Sequence, residues 1–441
     1  MEHAKQSKLL ERWTTRFEQY GDTFAAILLG TPMIATIDPL NLQTMLDSNL
    51  KDYGVQPLRR SATLPFLGEG VFTMVITAII FIYNFDSEMY PDGPFWQHSR
   101  TLMRPTFTRT NVANLPSFEK NLQKFFKLIP EDGSTVDLKP LLCKLFIDTS
   151  TEFLFGESMD MLSPEQPVRS QEFLDAFHYG KLAFLYRDKE YYDSIKVAHA
   201  FADFYVDKAI EYPIDRLSKK EPAQKDKSGY KYVLLHDMAM QTDNRNELRS
   251  QILHVFLAGH KSSAITIGNA LFQLSRNPSV WEKLRQEVIE AHGTSVSSFT
   301  HDNLRKLKCL QNVIKETLRL YPVASIASRK AYKDGVLPRG GGPDGKSPIF
   351  VRKDTVIITP LYSLHRLPDC FQPDGDKFVP PRWEDPSLRP GAAYIPFGWG
   401  IPRMAQKWKY LECRDEVEEW VEELRVSTSS RNGLEAALVA E

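Results

Sequence analysis

The sequence predicts a mainly α-helical protein with small β-sheets. Two observations carry that expectation. Long segments repeat apolar residues at helical spacing, and the longest, Glu247–Arg276, ends at Asn277-Pro278. Strand-like pieces are few and short, and they lie near the start and in the last third of the chain.

Each element has a local reason. Phe24–Leu29 and Met33–Ile37 are apolar runs separated by Gly30-Thr31-Pro32, which reads as a β-hairpin. Asp38-Pro39 then offers a helix N-cap followed by proline at the first helical position. Helical spacing recurs over Pro116–Ile129, over Leu138–Phe155 with Gly156 as its C-terminal cap, and over most of Phe173–Ile210. Leu217–Tyr230 is lysine-rich and reads as a solvated loop. Ser279–His292 and Asp302–Leu320 predict two more helices. The stretch from Tyr321 to Tyr394 is rich in proline and glycine, with strand-like pieces at Ile349–Val351 and Thr355–Thr359.

Bulk properties narrow the function classes. A chain of 441 residues is long enough to bury a large core. Length alone suggests roughly three domains, yet no linker or repeat divides the chain, and residues 1–441 read as a single domain. A net charge of -1 gives no sign of a nucleic-acid partner. The four cysteines, Cys143, Cys309, Cys370 and Cys413, lie far apart without a CxxC pair or zinc spacing, as expected in a reducing compartment. The N-terminus is polar, and the one long apolar run, Val71–Phe85, is short for a membrane span.

Five motifs carry chemistry. Glu316 and Arg319, in KETLRLYP, share one helix face and form a charge-assisted pair. Alone, such a pair is usually surface decoration. Phe378-Val379-Pro380-Pro381-Arg382-Trp383 follows downstream and supplies a second guanidinium. Trp96 and Arg100 stand four apart on one helix face, offering an indole and a guanidinium as fixed N–H donors. Ala258-Gly259-His260-Lys261-Ser262 places small residues and a hydroxyl inside the longest helix, where helix packing alone is an equally good explanation. Tyr394-Ile395-Pro396-Phe397-Gly398-Trp399-Gly400 is a glycine-rich loop followed by Arg403, Met404 and Ala405.

In this order and spacing, the motifs resemble the cytochrome P450 family of haem-thiolate monooxygenases, over roughly Leu9 to Gly400. The resemblance implies a cytochrome P450 fold. It implies haem b (iron protoporphyrin) held by Trp96, Arg100, Phe397, Gly400 and Arg403, and an oxygen pocket shaped by Gly259 and Ser262. It makes Glu316, Arg319 and Arg382 a structural cluster. Electrons would come from NADPH through cytochrome P450 reductase. The fungal group that includes alkane and fatty-acid hydroxylases is similar, as are fungal relatives of secondary-metabolite pathways, which implies a small apolar substrate. Relatives sit on the endoplasmic reticulum facing the cytosol. Their N-terminal anchor is missing here, so a truncated N-terminus and at most peripheral membrane association are expected.

The sequence departs from the family at several points. Lys261 stands where the family has an acid, and an ammonium has no acceptor site. The ligand cysteine is absent, because its slot falls on Met404 counted from Phe397 or on Ala405 counted from Arg403. A thiolate is what favours O–O cleavage at haem iron. Cys413 falls in the stretch that the resemblance assigns to the helix after the ligand loop. Val75–Pro91 reads as a 17-residue aberrant insertion, since the family pattern runs on from Met74 to Asp92. Residues 401–441 depart from the family. Three readings follow: a monooxygenase, a non-catalytic remnant, or a haem protein ligated by Met404 for electron transfer.

Overall fold

Two antiparallel strands open the architecture, because Gly30 takes a positive φ of 81° and turns the chain back on itself. The hairpin pairs β1 (Thr23–Leu28) with β2 (Thr31–Thr36), Leu28 opposite Thr31. The computed structural model describes residues 8–28, 30–54, 60–70, 98–99, 102, 115–183, 187–218, 232–293, 299–371, 373–394, 410–413, 422–424, 428–430 and 434–439. Val75–Pro91 and all but the first two residues of the stretch Leu217–Tyr230, expected as a solvated loop, lie outside these residues.

The hairpin joins a five-stranded sheet. β2 pairs in parallel with β8 (Val356–Pro360), which pairs with β5 (Ile326–Ala331), which pairs with β3 (Tyr53–Gly54). β6 (Gly335–Gly341) and β7 (Ser347–Val351) form a separate hairpin. β5 and β6 were not foreseen, since charged residues and glycines interrupt their apolar pattern. Asp38 caps the short helix Pro39–Gln43 as expected, its Oδ1 accepting from the N–H groups of Leu40 and Asn41. A π-helical turn, Thr44–Ser48, then continues it.

Helices make up most of the remainder. They include Leu9–Tyr20, Arg60–Leu67, Leu115–Phe126, Leu138–Phe155, Val168–Ala183, Lys189–Ser218, Pro278–His292 and Lys308–Leu320. Gly156 ends Leu138–Phe155 at a φ of 82°, with its N–H on the Glu152 carbonyl. The segment read as mostly helical over Phe173–Ile210 falls on two helices, Val168–Ala183 and Lys189–Ser218. The longest helix runs Arg245–Arg276, capped by Asn244, and spans about 48 Å at 1.5 Å per residue.

That long helix joins two of the three cores. Ile252 and Phe256 on its first half pack with Phe173, Phe177 and Phe201. Ala264, Ile267 and Leu271 on its second half pack with Leu142, Leu310 and Val313. A third core lies between the five-stranded sheet and the first helix, around Trp13, Phe17 and Ile357. Among the described residues, no helix is long and apolar enough to cross a membrane.

One expectation is overturned here. The stretch around Cys413 is not helical: Tyr410–Cys413 is strand β9, paired with β12 (Glu435–Val439). β12 also pairs with β4 (Val136–Asp137), which makes it the central strand of a three-stranded sheet. Ala436, Ala437 and Leu438 of this central strand are all buried, so both of its faces are covered.

Candidate functional site

Helix Lys308–Leu320 turns Glu316 and Arg319 inward together, and neither side chain is exposed at all. Arg319 spends every N–H. Its Nε donates to Glu316 Oε2 at 2.9 Å and its Nη2 to Glu316 Oε1 at 2.8 Å and to the Lys377 carbonyl at 3.0 Å. Its Nη1 donates to the carbonyls of His365 and Gly375. Arg382 arrives on the 3-10 turn Pro380–Glu384 and donates from Nε to Glu316 Oε1 at 2.9 Å. The rest of its guanidinium donates to the carbonyls of Phe371 and Asp374. Glu316 also accepts the Val379 N–H at 3.0 Å and the Trp383 indole N–H at 2.9 Å.

Buried charges are tolerable only when paired and fully hydrogen-bonded. One carboxylate faces two guanidiniums, and the surplus positive charge is spread over backbone carbonyls. The cluster therefore knits the helix to the irregular chain from His365 to Glu384. Two members left no signal in the sequence: the carbonyls carry no side-chain signature, and Trp383 read only as the end of a motif.

Tyr394 ends this unit. Its hydroxyl donates to the Lys315 carbonyl at 3.0 Å, and its ring lies 4.5 Å from Trp383 and 5.5 Å from His365. Burial, with the Glu316 charge, pushes its phenol well above the usual range. Burial likewise drives the His365 imidazole down to about 4, and its Nδ1 donates to the Arg319 carbonyl at 3.3 Å. Tyr394 thus fixes the end of the chain that enters residues 395–409.

The long helix carries the second group of expected residues. Ser262 Oγ donates to the Ala258 carbonyl at 2.7 Å, one turn back in the same helix. Its proton is engaged there, and it offers its lone pairs as acceptors. Gly259 faces another way: a Cβ built on it would meet only Ser150 Oγ of helix Leu138–Phe155, at 3.6 Å. The small residue therefore borders a helix–helix contact. His260, next in sequence, is buried, stacks 4.7 Å from Phe256 and donates from Nδ1 to the Phe256 carbonyl. Lys261 is half-buried.

His98 and Ser99 lie between the expected haem-binding pair Trp96 and Arg100. Both are tied to the first half of the long helix: His98 Nε2 to Glu247 Oε1 at 2.7 Å, and Gln251 Nε2 to Ser99 Oγ at 2.6 Å. Gln251 is fully buried. Trp96, Arg100, Phe397, Gly400, Arg403, Met404 and Ala405 themselves lie outside the described residues.

Thiolate-ligated haem does not fit the donors of this chain. Cys309 is buried at the start of its helix, where burial and the Glu287 carboxylate push its thiol up to about 11. Cys143 packs half-buried against the core around Leu142, Ala264 and Leu310, and burial also raises the thiol of Cys370. Cys413 ends strand β9, opposite Ala436. None stands at the loop entered from Tyr394, and among the described residues no cluster of three or more His, Cys, Asp or Glu could hold a metal ion.

Comparison with known proteins identifies the scaffold. The cytochrome P450 family profile matches residues 82–403. The chain is similar to cytochrome P450 monooxygenase fsdH of Fusarium heterosporum, 35% identical over 470 aligned positions that take in 98% of this chain and 78% of the relative. It is similar to cytochrome P450 monooxygenase g430 of a Fusarium species, 37% identical over 90% of this chain and 71% of the relative. It is also similar to cytochrome P450 52A12 of Debaryomyces hansenii, 33% identical over 92% of this chain and 78% of the relative. The chain belongs to the cytochrome P450 family, and by homology it is a cytochrome P450 monooxygenase.

Proposed function

We propose that this cytochrome P450 family member derives from, and in its cysteine-bearing form works as, a haem-dependent monooxygenase hydroxylating a small apolar substrate. Fatty acids, alkanes and secondary-metabolite intermediates fit that class. Its electrons come from NADPH through cytochrome P450 reductase, and its place is the cytosolic face of the endoplasmic reticulum. Membership of the cytochrome P450 family supports this reading, and the Glu316–Arg319–Arg382 cluster supports the fold it needs. That cluster is costly to bury and serves to hold the chain that leads from Tyr394 into the ligand loop.

Within that reading, Trp96 and Arg100 bind a haem propionate, and Gln251 and Glu247 position them through Ser99 and His98. Ser262 borders the oxygen pocket and passes a proton only by releasing the Ala258 carbonyl. Phe397, Gly400 and Arg403 belong to the ligand loop. No oxygen-activating step is derived for the 441-residue chain, because nothing in it supplies the thiolate. Val75–Pro91 is an aberrant insertion in an otherwise single domain.

The absent cysteine favours a second reading for the chain as it stands: a P450 scaffold without monooxygenase activity. The two readings separate on product formation. A form with cysteine at the ligand slot is combined with cytochrome P450 reductase and NADPH and offered alkanes and fatty acids of graded length. Hydroxylated product from that form and none from the 441-residue chain is the expected result. No turnover of any apolar substrate by either form would sink the monooxygenase reading.

A further inference from the structure

We infer that the chain lacks a cysteine-bearing block between Gly400 and Tyr410 that the gene still encodes, so that its ligand is missing through omission of that block and not through substitution within an intact loop. This deepens the monooxygenase reading and rests on it. Three observations carry it.

The tail is built into the fold. Tyr410–Cys413 and Glu435–Val439 pair over four positions, from Ala436 opposite Cys413 to Val439 opposite Tyr410. Asp137 Oδ1 accepts the Lys139 N–H, capping helix Leu138–Phe155, and also the Leu434 N–H at 3.0 Å. The Leu138 N–H returns a bond to the Leu434 carbonyl at 2.9 Å. Leu434, Ala436 and Leu438 lie in the same core as Leu138, Leu142 and Leu271. A tail read in a wrong frame would have no reason to supply a central strand whose Ala436, Ala437 and Leu438 are buried, in register with a capping aspartate.

Similarity to relatives also resumes beyond the break. The family match stops at residue 403, yet the alignment with the Fusarium heterosporum protein takes in 98% of this chain. It runs over 470 positions against a chain of 441, so at least 29 residues of that relative have no counterpart here. The alignments with cytochrome P450 monooxygenase himC of Aspergillus japonicus and cytochrome P450 52A3-A of Candida maltosa, over 464 and 460 positions, are likewise longer than the chain.

Tyr394 is held at the Glu316 cluster and Tyr410 in the sheet beside the long helix, and only residues 395–409 join them. A point substitution would leave the flanking pattern standing on both sides of the slot. Here the pattern holds at Phe397, Gly400 and Arg403 and fails from Met404 on, with Gln406 where the family resemblance puts the glycine after the ligand.

The test is to sequence genomic DNA and reverse-transcribed message of the source organism across the codons for Pro390 to Cys413. The expected result is extra in-frame sequence with a cysteine codon between the codons of Gly400 and Tyr410, and a message that contains it. Contiguous codons in both genomic DNA and message overturn the inference. The longer chain, expressed with a haem precursor, is then reduced and exposed to carbon monoxide. A Soret band at the red-shifted position of thiolate ligation, absent from the 441-residue chain, supports both the inference and the reading under it. A longer chain that exists but shows no such band leaves the omitted block established and overturns the monooxygenase reading.

Discussion

The chain on either side of Tyr394 obeys different constraints. Before it, from Glu316 to Trp383, every strong donor of Arg319 has a partner and Glu316 accepts from three side chains and one backbone N–H. After it, the residue types that the resemblance demands give out within a few positions. A buried ionic cluster serves folding whether or not the protein turns over substrate, since one unpaired member would be costly. A ligand cysteine serves chemistry alone. The contrast teaches that a lesion in the catalytic loop leaves the neighbouring scaffold intact, and that conservation of the scaffold says nothing of activity.

The sharpest way to break this comparison is Glu316→Ala. It strands two guanidiniums in the interior and is expected to destabilise by about 3–5 kcal/mol, read as a fall in the chemical unfolding midpoint. A loss within experimental error would mean that the cluster is not what holds the region before Tyr394.

Acid sharpens it next. His365 is buried as the neutral ring with its pKa depressed to about 4, chiefly by desolvation. His254, whose Nε2 donates to the Gly68 carbonyl at 3.2 Å, is likewise depressed to about 4. In the unfolded chain both titrate near 6.5. Between those values the unfolded state takes up protons first. Stability is therefore full above about pH 6.5 and falls as pH drops toward 4, by on the order of 3 kcal/mol per histidine at most. His365→Gln should flatten the unfolding midpoint against pH over that window, and an unchanged slope would contradict the assignment.

Trp383→Phe keeps a ring against Tyr394 and removes one N–H from Glu316. About 1.5–3 kcal/mol should be lost, as for a hydrogen bond to a charged group, with Tyr394 fluorescence reporting whether the end of the cluster loosens. Gly259→Ala has the smallest expected effect. Its new Cβ meets Ser150 in ordinary contact, and alanine favours the helix by up to about 1 kcal/mol. Thermal unfolding should be unchanged or raised. A clear fall would show that the glycine is needed for a closer approach than the one to Ser150.

Much of this was legible beforehand. Asp38, Gly156 and Asn277-Pro278 mark element ends by local backbone chemistry, and the sequence displays that directly. The Glu316–Arg319 pair was visible as spacing, and Arg382 only through order along the chain. The carbonyls of His365, Gly375 and Lys377 were not visible, because any residue can lend a carbonyl. β6 was missed because charged residues and glycines interrupt its apolar pattern, and β5 because pairing with the distant β8, and not local alternation, makes it a strand. Cys413 was misplaced into a helix for the same reason: β12, some twenty residues further on, decides its conformation.

The central claim, that this chain keeps the cytochrome P450 scaffold without the thiolate, is tested most directly by the reduced, carbon-monoxide-bound spectrum of the 441-residue protein expressed with a haem precursor. The account predicts either no haem or a Soret band typical of histidine or methionine ligation. A band at the red-shifted thiolate position would contradict it, and Cys413 would then be the first residue to replace.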